Sequence, residues 1–211
     1  MQKALLSTCL LLALLPAVTS LTCSYCQQNT TSCNSQTNEV CGSNPSCVSG
    51  AMDNNIFPQY TVTPYQGCAD SQRCHSGDYS ITSANGRYLQ MKVFCCRTEK
   101  CNKEPVYVPP REDLSPNGLE CPACFGLTNF ASKPICRSHG TVSCVGNETK
   151  CIDYSSTAKF FFRFNKQLKL KGCATEDVCA LNGKRFSYGL LSLAKIVTKC
   201  SDASKQIDLE G

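Results

Sequence analysis

Cysteine is the residue type whose number and spacing carry the clearest chemistry in this sequence. The 211 residues include 19 cysteines, a density typical of secreted disulfide scaffolds. C-x-x-C pairs occur at Cys23/Cys26 and at Cys121/Cys124, and in a cytosolic protein such pairs could supply thiolates to zinc. The adjacent residues Cys95 and Cys96 cannot easily pair with each other, so two crosslinks should meet there.

Acid–base catalysis has few candidate residues. His75 and His139 are the two histidines, and each lies near a cysteine without an accompanying Ser or Asp motif. The sequence contains no Gly-rich phosphate loop and no nucleic-acid motif. We therefore expect a protein that is not an enzyme, requires no cofactor or metal and binds no nucleic acid.

Residues 1–20 have the pattern of a signal peptide. Lys3 precedes a mostly apolar run over residues 4–17, which is shorter than the roughly 20 residues that a membrane-spanning helix needs. Cleavage would remove Cys9 and leave 18 cysteines, an even number that can be fully paired. Disulfides in a secreted, extracellular protein are thus expected rather than a zinc site. Asn29 and Asn147 begin glycosylation sequons, and the polar residues 200–211 predict no lipid or membrane anchor.

The cysteine spacing repeats once. The first series occupies positions 23, 26, 33, 41, 47, 68, 74, 95, 96 and 101, and the second occupies 121, 124, 136, 144, 151, 173, 179 and 200. Both series open with C-x-x-C, and Gly-Cys occurs at the sixth cysteine of each, as Gly67-Cys68 and Gly172-Cys173. Two copies of one module are therefore expected, at 21–102 and 119–211, joined by a proline-rich spacer at 103–118.

Hairpins are expected between the crosslinks. In residues 75–94, Asn85-Gly86 is a two-residue turn signal, and Leu89, Met91 and Val93 alternate toward one face. Residues 48–67 have a similar pattern, with a turn predicted at 53–55. No helix of any length is predicted, and modules this small depend on disulfides to supplement a modest core.

The segment Cys95 to Asn102, C-C-x4-C-N, together with Leu21 to Cys26, resembles the boundary markers of the three-finger (urokinase-receptor type) domain. The resemblance implies a small disulfide-rich all-β fold with two tandem three-finger modules. It also implies nine disulfides, which are Cys23–Cys47, Cys26–Cys33, Cys41–Cys68, Cys74–Cys95, Cys96–Cys101, Cys121–Cys151, Cys124–Cys136, Cys144–Cys173 and Cys179–Cys200. Ser201 replaces the ninth cysteine of the second module, so the end of that module should be looser.

The junction from Pro116 to Pro122, the G-N-E-T-K-C segment ending at Cys151 and the terminal Lys199 to Ala203 resemble gamma-type phospholipase A2 inhibitors. The resemblance implies a secreted phospholipase A2 as the partner and an apolar strip that covers its lipid-contacting surface. The strip residues are Pro105, Val106, Tyr107, Val108, Pro109 and Pro110, with Pro116 beyond them. The scaffold is also similar to sodefrin-precursor-like pheromones and urokinase-receptor-like binding proteins, which stay open as alternatives, as does a homo-oligomer.

Positive charge is concentrated in the second half of the chain. Residues 21–114 contain 7 basic and 8 acidic side chains, whereas residues 115–211 contain 13 and 8. Within residues 159–171 apolar and basic side chains largely alternate, which predicts the middle finger of the second module. Its lysines either guard an exposed strand edge or, with Lys169 and Lys171, contact an acidic protein, an anionic lipid or a sulfated glycan.

Overall fold

The computed structural model describes residues 20–26, 33, 37–57, 64–129, 132–137, 140–160, 164–189 and 191–205, with only the backbone of Phe160 and Phe164. Most of the predicted signal peptide lies outside these ranges, as do Asn29 and His139. No helix in the described part of the chain has the length and apolar character needed to span a bilayer.

Strands dominate both modules. The first contains β1 (Thr22–Tyr25), β2 (Thr37–Val40), β3 (Pro45–Asn54), β4 (Tyr65–Asp70), β5 (Gly77–Ser83) and β6 (Arg87–Cys96). The second contains β7 (Pro116–Pro122), β8 (Cys124–Asn129), β9 (Thr141–Val145), β10 (Lys150–Phe160), β11 (Phe164–Ala174), β12 (Phe186–Tyr188), β13 (Leu191–Asp202) and β14 (Ser204–Lys205). Helical structure in the described ranges is limited to 3-10 turns at Ala84–Gly86 and Arg111–Asp113 and a single turn, α1 (Glu176–Cys179). The predicted fold class is confirmed.

Antiparallel hairpins form the fingers of the first module. β1 pairs with β2, β3 with β4, and β5 with β6. The turn between β5 and β6 places Asn85 at φ 59° and Gly86 at φ 64°, the left-handed conformation that an Asn-Gly turn favours.

The turn predicted at 53–55 is wrong. Asp53 and Asn54 belong to β3, where they lie opposite Gln90 and Leu89 of β6. Pairing with the long strand β6 extends β3 beyond the Asp-Asn-Asn sequence, so local turn propensity is overridden by the sheet.

The two modules share one sheet. Its strand order is β12-β13-β10-β11-β5-β6-β3-β4, with β8 also paired to β11. The junction is the pairing of Gly172–Ala174 in β11 with Ile81–Ser83 in β5. A Cβ atom on Gly172 would lie 1.9 Å from the Thr82 carbonyl oxygen, so only glycine permits this approach of the two backbones.

The shared sheet curves until its two ends meet. The Ser187 amide beside β12 donates to the Arg73 carbonyl 3.1 Å away, and the rings of Tyr65 (β4) and Tyr188 (β12) are 5.7 Å apart in an edge arrangement. The enclosed core takes large buried side chains from both modules. They include Val48, Met52, Tyr79, Met91, Tyr154, Leu170, Phe186, Tyr188 and Leu191.

The structure contains all nine disulfides in the pairing that the three-finger resemblance implies. The expected looseness after Cys200 is not what the structure shows within the described residues. There, Ser201 and Asp202 continue β13 opposite β10, and β14 pairs with β7. Strand pairing therefore holds this segment where the first module uses a fifth disulfide.

The prediction that lysines of residues 159–171 guard an exposed edge is also wrong. Lys169 and Lys171 lie on β11, which pairs with β10 on one side and with β8 and β5 on the other. An interior strand has no free edge to protect, so these lysines require another explanation.

Candidate functional site

The segment that follows the first module starts from a buried asparagine. Asn102 is 1% exposed, and its amide nitrogen donates to the carbonyls of Ser24 (2.9 Å) and Val48 (2.8 Å). Its side-chain oxygen accepts from the Ser24 amide at 2.9 Å. Asn102 thereby crosslinks β1, β3 and the start of the spacer without a covalent bond.

The predicted spacer is fixed against the outer face of the first module. The Ser49 hydroxyl of β3 donates to the Glu104 carbonyl at 2.8 Å, and the Gln90 amide of β6 donates to the Pro109 carbonyl at 3.2 Å. Beyond these contacts, the Arg111 guanidinium donates to the Thr82 hydroxyl of β5 at 2.6 Å. The chain therefore crosses three strands in succession, and its last residues join β7 from Pro116 onward.

Residues 105–110, here called the proline strip, present one aromatic side chain to solvent. Tyr107 is 68% exposed, whereas Pro105, Val106 and Val108 are half-buried and Pro109 and Pro110 are exposed. Because Glu104 and Pro109 are hydrogen-bonded to the sheet, the backbone on either side of Tyr107 is held in place. Tyr107 is thus an exposed aromatic group on an ordered support.

A buried charge follows the strip and connects it to the second module. Glu148 is fully buried, and one carboxylate oxygen accepts from the hydroxyls of Ser80 (2.6 Å) and Thr82 (2.8 Å) in β5. Its other oxygen accepts from the Val145 amide at 3.2 Å. The Arg111 guanidinium lies 3.9 Å from Glu148 and supplies the compensating charge that a buried carboxylate requires.

The same guanidinium stacks on an aromatic ring. Arg111 lies 4.9 Å from the centre of the Tyr88 ring, and the Tyr88 hydroxyl donates to Asp53 at 3.2 Å. Burial, followed by the neighbouring Asp53 carboxylate, raises the pKa of Tyr88. Sequence reasoning missed Arg111 and Glu148. Glu148 is the middle residue of the Asn147 sequon, and that motif gave no sign of burial.

Lys169 and Lys171 lie on the second module rather than in the strip. The Lys171 ammonium is 3.5 Å from the Asp153 carboxylate on β10, so an ion pair accounts for it. Lys169 lines a pocket with Lys133 and Lys195. The structure thus assembles residues 105–110 into one surface but leaves these two lysines outside it. Pro116, at the start of β7, is exposed.

The remaining predicted chemistry is accounted for structurally. The His75 Nε2 atom lies 3.1 Å from the Arg185 carbonyl, and burial, with a smaller effect of Lys184, lowers the pKa of His75. Sulfur atoms cluster at Cys23, Cys41 and Cys68 and at Cys121, Cys144 and Cys173. Each of these sulfurs belongs to a disulfide, so none is a thiolate ligand. Asn147 is exposed and accessible to a glycan.

Comparison with known proteins gives consistent relatives, although no family model matches the chain. A phospholipase A2 inhibitor of Notechis ater is 32% identical over 202 residues, covering 96% of this chain and 97% of the relative. A gamma-type phospholipase A2 inhibitor of Laticauda semifasciata is 32% identical, covering 87% and 97%, and the 25 kDa phospholipase A2 inhibitor of Naja kaouthia is 33% identical, covering 86% and 94%. Among solved structures, mouse TEX101 is similar with a TM-score of 0.33 and 15% identity over 88% of this chain and 99% of that one.

These full-length similarities confirm the resemblance drawn from the P-N-G-x-x-C-P junction and the cysteine pattern. The chain therefore belongs to the gamma-type phospholipase A2 inhibitor family.

Proposed function

We propose that this protein is a secreted inhibitor of a secreted phospholipase A2 and that it acts by occlusion rather than by chemistry. The observation that carries the proposal is the exposed Tyr107 on a backbone fixed to the sheet, in a chain whose relatives are named phospholipase A2 inhibitors. Within the described residues, neither His75 nor the clustered cysteines offer an acid–base or metal site, which supports a binding role.

The mechanism follows from the geometry of the strip. A secreted phospholipase must place an apolar surface on lipid before it hydrolyses it, and an apolar strip can bind that surface in place of the lipid. Because the backbone around Tyr107 is already ordered, little conformational entropy is lost when it binds. Aromatic side chains in such positions commonly dominate the binding free energy.

The proposal is tested by mixing the purified protein with a panel of secreted phospholipases and measuring hydrolysis of lipid vesicles. We expect stoichiometric loss of activity for at least one enzyme. Hydrolysis of a short-chain substrate below its aggregation threshold should be much less affected, because occlusion blocks the lipid-contacting surface and leaves the catalytic residues intact.

Two outcomes would contradict the proposal. Absence of inhibition across the panel, with expression confined to a courtship or skin gland, would favour the pheromone alternative. Turnover of lipid by the protein itself would overturn both interpretations.

A further inference from the structure

The second module contains a concave basic surface that the inhibitory strip does not use. A pocket of about 400 Å³ lies where the outer side of β10, β11 and β13 meets the segments before β5 and β12. Four cationic side chains line it together with hydroxyl and amide groups, and no carboxylate is among its lining residues. The cations are Arg73, Lys159, Arg185 and Lys195.

A second pocket adjoins the first. It measures about 370 Å³ and is lined by Lys133, Lys169 and Lys195, together with Ser155, Thr157 and Gln167. Lys195 and Thr157 are common to both pockets. The two pockets therefore form one surface, here called the basic face, with six cations: Arg73, Lys133, Lys159, Lys169, Arg185 and Lys195.

Lys195 occupies a special backbone position at the centre of this surface. β13 is bulged against β10 between the pairs Thr157–Ala194 and Ser155–Val197, and Lys195 has φ 54°. A non-glycine residue in the left-handed region is uncommon and costs free energy. The bulge aims the Lys195 side chain outward, between the two pockets.

Few carboxylates neutralise the basic face. Asp70 lies 3.4 Å from Arg73, and Asp153 is engaged by Lys171. Within the described residues, no ion pair is formed by the four lysines Lys133, Lys159, Lys169 and Lys195. Cations gathered in concave pockets reinforce one another's potential and attract anions more strongly than isolated surface lysines do.

The shape of the face identifies the kind of anion. Lys159 and Ser155, the residue opposite Lys169, are four positions apart on β10, which is about 13 Å of extended strand. One sulfate or phosphate cannot span that distance, so the ligand must carry several anionic groups along a chain. The cations line concavities that a flexible chain can enter and that a flat bilayer surface cannot.

We propose that the basic face binds a sulfated glycan chain. Lysine and arginine donate charge-assisted hydrogen bonds to sulfate oxygens, and the neighbouring hydroxyl and amide groups complete the contacts. The glycan holds the protein at extracellular matrix or cell surfaces while the proline strip stays free for its own partner. This assignment does not depend on phospholipase inhibition.

The test measures binding of a size-defined heparin oligosaccharide by calorimetry at several salt concentrations. We expect the logarithm of the affinity to fall linearly with the logarithm of salt concentration, because binding displaces counterions. Replacing Lys159→Gln with Lys195→Gln should lower that slope by about two and weaken binding. The matched control, Lys100→Gln with Lys205→Gln, removes two cations that line neither pocket and should bind as the unmodified protein does.

Three results would overturn the proposal. Equal binding by the Lys159/Lys195 variant and by the control variant would show that the basic face is not the site. Equal affinity for a hyaluronan oligosaccharide, which carries carboxylates without sulfates, would exclude recognition of sulfate. Tighter binding to anionic lipid vesicles than to the heparin oligosaccharide, lost in the same variant, would assign the face to membranes.

The phospholipase assay separates this proposal from the inhibitory function. The Lys159/Lys195 variant should inhibit as the unmodified protein does, because neither residue belongs to the proline strip, and retained inhibition also shows that it is folded. If the unmodified protein inhibits no phospholipase yet binds the oligosaccharide through these lysines, the glycan site stands and only the inhibitory function fails.

Discussion

At the scale of single residues, Tyr107 is the side chain on which the inhibitory proposal depends most. Truncating a well-supported aromatic anchor commonly weakens binding by about 2 kcal/mol or more. We expect Tyr107→Ala to weaken phospholipase binding by that amount at every ionic strength, as measured by surface plasmon resonance. Ile135→Ala is the matched control, because Ile135 is 69% exposed and lies outside the strip.

A lysine variant provides the contrast to this prediction. Lys169→Ala with Lys171→Ala should slow association mainly at low salt, because exposed charges steer encounter and are screened by ions. Lys171 already has a partner in Asp153, which further limits its contribution. If the double lysine variant abolishes phospholipase binding at physiological salt while Tyr107→Ala does not, the second module contains the true inhibitory site.

Glu148 is the residue whose polar contacts best test the connection between the modules. In Glu148→Gln the side chain loses its charge, and its new NH2 group meets either the Val145 amide donor or the two hydroxyls of Ser80 and Thr82. We expect the free energy of unfolding to fall by about 1–3 kcal/mol in urea titrations. The control is Glu120→Gln, whose carboxylate accepts only from the exposed Thr141 hydroxyl among the contacts described.

A double-mutant cycle with Arg111→Met isolates the ionic part of this interaction. If Arg111 compensates the buried carboxylate, the two substitutions together should cost less than the sum of their separate effects. Strict additivity would show that the 3.9 Å separation between Arg111 and Glu148 contributes no coupling.

At the scale of elements, the junction of β11 with β5 is the contact that joins the modules. The Gly172→Ala methyl group would collide with the Thr82 carbonyl at 1.9 Å, and backbone cannot move aside as a flexible side chain can. We expect Gly172→Ala to lower the free energy of unfolding by about 3 kcal/mol, measured by urea denaturation. Gly42→Ala is the control, because a Cβ atom on Gly42 meets nothing within 4 Å. Equal stability of the two variants would contradict the assigned junction.

The same junction shows how far sequence reasoning reaches. Asn85-Gly86 encodes its own turn, since the left-handed conformation is a local property of those residues. The Gly-Cys repeat at Gly172 was visible, but its reason was not, because the carbonyl that excludes a side chain belongs to Thr82, some 90 positions earlier. The turn predicted at 53–55 failed for a related reason, because pairing with β6 decided the conformation of Asp53.

Prediction of the candidate site was limited in the same way. The prolines indicated an extended segment, and Tyr107 stood out as more apolar than a spacer needs. That Ser49 and Gln90 fix this segment to the sheet depends on contacts between distant strands, which composition does not reveal. The charge asymmetry of the second half was visible too, but the β13 bulge that turns Lys195 outward was not.

At the scale of the whole molecule, four tyrosines of both modules link the shared core to pH. Burial, with a smaller contribution from Glu39, raises the pKa of Tyr65 to about 12, and burial raises the pKa of Tyr154 to about 12. Burial likewise raises the pKa values of Tyr79 and Tyr188. Each hydroxyl therefore stays protonated in the folded protein at a pH where an exposed tyrosine, with a pKa of about 10, ionises.

The sign of the resulting pH dependence follows from proton linkage. Above about pH 10 the unfolded chain binds fewer protons than the folded protein, so stability falls as pH rises. The tyrosine contribution is fully present below pH 10 and is lost progressively through about pH 12, the pKa of Tyr65 and Tyr154 in the folded state. Because Tyr65 belongs to the first module and Tyr154 to the second, both modules should weaken over the same interval.

We therefore expect the disulfide-intact protein to unfold in one alkaline transition, with the late phase of tyrosinate absorbance coinciding with loss of far-ultraviolet dichroism. Tyr154→Phe removes one ionisable group from the core, so its free energy of unfolding should fall less steeply with pH above pH 10. Tyr107→Phe is the control and should leave the slope unchanged, because Tyr107 is 68% exposed. Two separate transitions, each reporting the tyrosines of one module, would show that the modules fold independently and that the core they share contributes little to their union.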